Sequence, residues 1–288
     1  MASNAQIFVI YHKPEAILKS DVYSPIAVGN SKDQFSKEFL RDDAGENIAD
    51  KNSVYNELTA IYWVYKHINE FKDVNYFGFS HYRRLFSFNG EKSAYVKKQI
   101  DENLVKVDSM KIETIFKDYD FITPKASHYK SVRKHYEKSH NKTDLDNLLK
   151  AIEKVDSSYL EDAKEYLEGK NEFLYNMFVF KKEDFLAYGK FIFDVLEEFM
   201  KLVKDVNRLY VSERLTGIFI HHLLKQAKKG LFLPILHIRS KSLKQANKQV
   251  KINFKENKDR GFVYKMKPVI LCFLPRCVEQ HFRRRKAK

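Results

Sequence analysis

Short apolar runs that stop at basic or imidazole residues, alternating with helix-patterned stretches, limit what this chain can become. Residues 6–11 (QIFVIY) are continuously apolar, the mark of a strand buried on both faces. The run stops at His12-Lys13-Pro14, where proline blocks further pairing. A weaker strand covers Pro25 to Val28 and closes at Gly29-Asn30. Residues 74–80 (VNYFGFS) read as a core strand ending at His81-Tyr82-Arg83-Arg84. Residues 119–123 (YDFIT) are stopped by Pro124-Lys125, and residues 174–180 (LYNMFVF) form a further strand. Between them, Leu58, Ile61, Tyr62, Tyr65 and Ile68 recur at helical spacing and predict one helix from about Ser53 to Asn69. Residues 91–117 read as a charged helical stretch, 128–170 as a helical insertion, and 182–204 and 211–228 as strong helices. Strands alternating with helices predict an α/β fold with a mostly parallel central sheet flanked by helices.

Composition narrows the partners. The chain's 288 residues suffice for one large core, and 23 Phe with 17 Tyr exclude a disordered polymer. A net charge of +14 attracts anions. Nucleic acid is disfavoured, because Lys and Asp/Glu are interspersed and no nucleic-acid motif occurs. Two cysteines, Cys272 and Cys277, build neither a disulfide framework nor a zinc site, and suit a reducing cytoplasm. No secretory leader is expected, nor any run approaching the roughly 20 apolar residues of a membrane span. The expected organisation is one domain over residues 1–240 and a basic extension over 241–288. That extension (KSLKQANKQVKINFKENKDR, then PVILCFLP and FRRRK) reads as an anchor for anionic lipid. The expected location is therefore cytoplasmic, peripheral at the inner face of the membrane.

In open α/β sheets, ligands sit beyond the carboxyl ends of the strands. Those ends here carry His12 and Lys13, then His81, Arg83 and Arg84, so parallel neighbours would bring them to one rim. Guanidinium forks match phosphate oxygens, and the expected ligand is a diphosphate. Asp50, Lys51 and Asn52 precede a helix start able to hold an anion or a nucleotide hydroxyl, with Glu57 in its first turns. Asn176 interrupts an apolar strand, and its amide needs partners that a sugar could supply. Glu213, beside Arg214 at a helix start, is the candidate catalytic base for an acceptor hydroxyl. Asp118-Tyr119-Asp120 resembles a metal-binding pair but falls at a strand's start, away from the rim. With no carboxylate pair at the rim, the expectation is no cofactor and no metal; a divalent ion is not favoured. His135, His140, His221 and His222 lack metal-site companions at suitable spacing and are expected to be structural or surface residues.

The segments IADKNSVYNELTAIYWVYKH and YFGFSHYRRLF, with IFVIYHKP, DYDFITPK, LYNMFVFKKEDF and SERL in order, carry a resemblance. They resemble a family of capsular-polysaccharide and lipopolysaccharide glycosyltransferases long known only as a domain of unknown function, over about residues 5–240. The resemblance implies a GT-A-like transferase that takes a hexose from a nucleotide-sugar, with UDP-galactofuranose a reasonable donor and inversion the outcome. It points to His12, Lys13, Asp50, Lys51, Asn52, Glu57, His81, Arg83, Arg84, Asn176, Glu213 and Arg214. Where the family often has Ser-Glu, this chain has Ala49-Asp50. The implied acceptor is a growing, lipid-linked surface glycan. Two other readings stay open: a retaining, metal-dependent transferase, and a non-catalytic basic module that binds acidic glycan or anionic lipid.

Overall fold

The structure, a computed structural model, describes residues 3–15, 17–92, 94–97, 100, 102–203, 209–239 and 266. Its strands are β1 (Ala5–Tyr11), β2 (Tyr23–Ala27), β3 (Leu40–Arg41), β4 (Tyr76–His81), β5 (Arg84–Phe86), β6 (Ala94–Lys97), β7 (Phe121–Pro124), β8 (Ser127–His128), β9 (Asn171–Glu172), β10 (Phe178–Lys181), β11 (Gly230–Leu233) and β12 (Ile235–Arg239). Its helices are α1 (Asn52–Tyr55), α2 (Leu58–Lys66), α3 (Glu102–Val105), α4 (Ser109–Asp118), α5 (Val132–Glu137), α6 (Thr143–Val155), α7 (Leu160–Glu168), α8 (Lys182–Leu202) and α9 (Ser212–Lys225). The chain divides into two compact units, residues 1–94 with 101–236, and residues 95–100 with 237–288. The fold and site described below belong to the first. The expected lipid anchor, 241–288, lies outside the described residues save Met266. Among the described residues no helix is long and apolar enough to cross a membrane.

The sheet of the first unit runs β11-β7-β10-β4-β1-β2-β3. β1 pairs parallel with β2 and β4, β2 with β3, and β11 with β7, so the sheet is mostly parallel as expected. Within that order β10 is antiparallel to both of its neighbours, and short β5 adds an antiparallel pairing at the end of β4. Because side chains alternate across a strand, Phe77 and Phe79 share one face of β4 and Tyr76 takes the other. Phe77 and Phe79 stack on Phe185 of α8, while Tyr76 stacks on Phe116 of α4, so helices cover both faces. Phe8, Phe178, Phe180, Tyr188 and Phe219 complete an aromatic core under α8 and α9. Gly78 lets the three central strands close up. A Cβ there would stand 2.8 Å from Val179 Cγ2 and 3.0 Å from Ile7 Cγ1.

Several sequence expectations are corrected. The single helix over 53–69 is two, because Asn56 takes φ +52° and breaks the chain between α1 and α2. Glu57 therefore stands at the amino end of α2 rather than within a first helical turn. Residues 91–117 hold strand β6 and two separate helices instead of one helical stretch. The strand expected at 174–180 begins at Phe178, and Asn176 precedes it. Strands β11 and β12, carried by GLFLPILHI, went unread. The insertion over 128–170 is helical, with α5, α6 and α7 closed off by the small β8–β9 pair.

Candidate active site

The direction of β10 builds the site. β7 and β4 lie on either side of an antiparallel strand, so they point the same way, and the carboxyl ends of β1, β4 and β7 share one rim. Antiparallel β10 delivers its amino end to that rim. Phe178 pairs with Phe79, which sets Tyr175 and Asn176 beside His81.

Tyr175 and Asn176 both adopt left-handed backbone, at φ +83° and +49°. For non-glycine residues this costs about 1–2 kcal/mol each, so neighbouring groups must hold the turn. His81 Nε2 lies 2.5 Å from the Tyr175 carbonyl oxygen. The Tyr175 N–H donates to Glu213 Oε1 at 3.1 Å. The Arg84 guanidinium sits 4.4 Å above the Tyr175 ring centre. The Asn176 amide, buried, donates to Glu57 Oε1 at 2.9 Å and to Ser212 Oγ at 3.1 Å, and accepts from Thr216 Oγ1 at 2.7 Å. Thr216 Oγ1 lies 2.8 Å from the Tyr188 hydroxyl, whose proton burial holds well above its ordinary range. Asn176 thus spends its amide on protein partners and fixes Glu57 at the rim.

Glu213 opens α9, where the helix dipole favours a carboxylate. Its side chain is 29% exposed, so it meets solvent on one side while Oε2 approaches Arg214 Nη1 at 3.3 Å. Arg214 itself is buried. Its Nη2 contacts Glu172 at 2.6 Å, its Nη1 donates to the Tyr210 carbonyl at 3.2 Å, and its plane lies over the Tyr136 ring. Glu172, fully buried, also contacts His135 Nδ1 at 2.5 Å. Arg214 therefore anchors Glu213 from behind.

A second cluster adjoins the first across the β1–β4 pairing. Tyr82 OH lies 3.1 Å from His12 Nε2, with the rings edge to face. Burial pushes the Tyr82 phenol up from its usual value, and Arg83 opposes that shift. Arg83 Nη2 pairs with Glu15 at 2.9 Å, and its guanidinium covers the Tyr82 ring. Lys13 is exposed at the same strand end. His12, His81, Arg83 and Arg84 thus stand at or just beyond the ends of adjacent strands.

Asp50 and Lys51 lie in an exposed 3-10 turn before α1. Asn52 is tied into the frame: its Nδ2 donates to the Asn56 carbonyl at 2.8 Å and to Thr59 Oγ1 at 2.9 Å. Thr59 in turn donates to buried Asp42 at 2.6 Å. Gly29, at φ +74° beyond β2, presses so close that a Cβ there would stand 2.7 Å from Asn52 Oδ1. This brings the 50–52 turn to the carboxyl end of β2.

Sequence reasoning missed Tyr175, Glu172, Ser212, Thr216 and Glu15. Only Tyr175 left a signal: asparagine just ahead of an apolar run is a left-handed turn former, and its predecessor shares the turn. At the opposite rim, Asp120 accepts from Lys181 Nζ and the Lys229 N–H, both at 2.9 Å. The fold also gathers what spacing could not reveal: ligand atoms of Asp162, Glu165 and His221 lie within 4.8 Å of one another. There Lys225 binds Glu165 at 2.9 Å, and His222 meets Asp162 at 2.6 Å.

A mostly parallel α/β sheet with antiparallel β10 inserted between β4 and β7, and cationic groups at the carboxyl ends of its parallel strands, has the GT-A-like architecture. It matches the apo structure of the WbbM bifunctional glycosyltransferase with a TM-score of 0.72 at 26% identity, over 82% of this chain. The chain spans 46% of that protein's length. The chain belongs to the family described as a domain of unknown function, DUF4422, whose pattern covers residues 6–226. That span takes in every residue of both clusters. No curated protein sequence matches it.

Proposed function

We propose that the chain is a glycosyltransferase that moves a hexose from a nucleotide-sugar to a glycan acceptor, with inversion at the anomeric carbon. The observation that carries this is the convergence on one rim of cationic and imidazole groups with a partly exposed, anchored carboxylate, Glu213. The likeness to WbbM, a bifunctional glycosyltransferase, supports the same class.

The donor diphosphate lies against His81, Arg83, Arg84 and Lys13, with its nucleoside toward His12 and the 50–57 segment. The acceptor hydroxyl attacks the anomeric carbon as the bond to the diphosphate oxygen breaks. The hydroxyl proton passes to Glu213, and the cationic groups take up the charge on the leaving nucleoside diphosphate. Asn176 and Arg214 position Glu57 and Glu213. The chemistry is read as metal-independent because three of the rim's carboxylates are already engaged: Glu15 by Arg83, Glu57 by Asn176, and Glu213 by Tyr175 and Arg214. A UDP-linked donor, galactofuranose first among the sugars to try, and a lipid-linked surface glycan rest on the resemblance of the motif segments. Docking on an anionic membrane rests on the basic residues after 240.

The deciding experiment pairs calorimetry with turnover. Wild-type protein is titrated with UDP, GDP and CMP, with and without manganese. Glu213→Gln is expected to keep nucleotide binding and to lose about 10²–10⁴-fold in kcat, the range of a general base. Full activity in that variant would remove Glu213 from the role, and absence of any nucleotide binding would end the transferase reading.

A further inference from the structure

Behind Glu213, a ladder of rings climbs from the core to the surface. The buried Arg214 guanidinium lies 4.9 Å from the centre of the Tyr136 ring. Tyr136, buried, is locked by its hydroxyl, which donates to Asp144 Oδ2 at 2.7 Å. Its ring meets His140 at 4.6 Å, and His140 stacks on Tyr210 at 4.2 Å with planes 30° apart. Tyr210 ends the ladder and is 46% exposed.

An exposed tyrosine alone needs no explanation. This one is unusual in how it is held and where. Its ring rests on a histidine that rests on a buried, hydrogen-bonded tyrosine. Its backbone carbonyl accepts from Arg214 Nη1, the same nitrogen that approaches Glu213 Oε2 at 3.3 Å. The backbone of Tyr210 is thus tied through one guanidinium nitrogen to the candidate base three residues on, while its ring is held by His140, so its orientation is set before any ligand arrives. Pre-ordering of this kind lowers the entropy lost on binding.

We propose that Tyr210, backed by His140, is a stacking platform for the acceptor's sugar ring. Pyranose and furanose rings present a C–H face that packs on an aromatic plane, while their hydroxyls need a base at the edge. Tyr210 supplies the plane and Glu213 the base, and Arg214 ties the backbone of the one to the carboxylate of the other. The platform rests on the reading of Glu213 as the acceptor-side base. It adds the ligand class, a cyclic sugar, and the residue that selects it.

The test uses saturation-transfer NMR on the full chain with methyl glycosides of glucose, galactose, mannose and rhamnose, in the presence of UDP. Wild-type protein is expected to transfer saturation to the ring protons of at least one of them. Tyr210→Ala is expected to weaken that glycoside about five- to tenfold, the scale of one aromatic contact. Tyr210→Phe is expected to keep it, and UDP affinity is expected to stay constant in both variants. Unchanged glycoside binding in Tyr210→Ala, or no signal from any glycoside with wild-type protein, overturns the platform. If UDP fails to bind while a glycoside still depends on Tyr210, the transferase reading and the acceptor role fail together, and Tyr210 stands only as a sugar-stacking plane. If UDP binds and Tyr210→Ala changes nothing, the platform alone fails.

Discussion

The two rims of the same sheet both carry charged side chains and hold them differently. At the amino ends of β4 and β7, charge is settled pairwise: Asp120 takes Lys181 and one backbone N–H. At the carboxyl ends, Asn176, Glu213 and Arg214 each have two or more partners, and the backbone is bent to meet them. Of the four non-glycine residues with positive φ among those described, Asn56, Tyr175 and Asn176 flank the Glu57–Asn176 hydrogen bond. Strain of this kind persists only where surrounding contacts over-determine it. A rim that is merely solvated needs none of it, so the contrast marks the strained rim as the one shaped for a ligand.

Breaking the anchor beneath that rim should have the largest effect on stability. Arg214→Leu leaves Glu172 buried without its guanidinium and is expected to cost about 3–5 kcal/mol, read from the denaturant midpoint. Next, Arg83→Ala removes one charge-assisted contact to the donor. It is expected to weaken UDP about tenfold or more by calorimetry with the fold intact; unchanged affinity would separate Arg83 from the diphosphate. The strain itself can be isolated at Asn176. Asn176→Gly and Asn176→Ala lose the same three hydrogen bonds, but only alanine keeps the left-handed penalty, so the alanine variant should be about 1 kcal/mol less stable.

The opposite rim should respond least. Lys181 and the Lys229 N–H hold the Asp120 carboxyl below its usual value. Its contribution is present above the unfolded carboxylate value, near 3.8, and fades as pH falls through the lower folded value. Asp120→Asn should therefore cost under about 1 kcal/mol at neutral pH, because the pair is partly solvated, and nothing once the carboxyl is protonated in both states. Equal effects of Asp120→Asn and Arg214→Leu on stability would erase the distinction between the rims.

Much of the frame was legible. The apolar runs at 6–11, 74–80 and 119–123 mark β1, β4 and β7 to within a few residues, because a strand buried on both faces has almost no polar positions. The groups that stop those runs fall on one rim because β1, β4 and β7 run the same way, which the pairing decides. The run at 174–180 was legible as a strand yet misleading as a site, since nothing in LYNMFVF states which way it runs. Its antiparallel course, set by pairing with Phe79 and Ile122, turned its first residues into the hinge of the rim. The helix at 53–69 failed differently. Its apolar spacing is continuous, and the break is held by local hydrogen bonds: Asn52 Nδ2 and the Thr59 N–H donate to the Asn56 carbonyl, and Asn56 Nδ2 donates to the Val54 carbonyl.

The order of residues determined which segments become strands and helices, and that imidazole and guanidinium groups end the strands, because burial and backbone sterics act locally. Tertiary structure decided which polar groups meet: Glu213 with Tyr175, Asn176 with Glu57, Arg214 with Glu172, Tyr210 with His140. Each pairing joins elements far apart or in different turns of the chain. Strand direction and helix packing, which emerge only when the whole core closes, bring them within hydrogen-bonding or stacking distance.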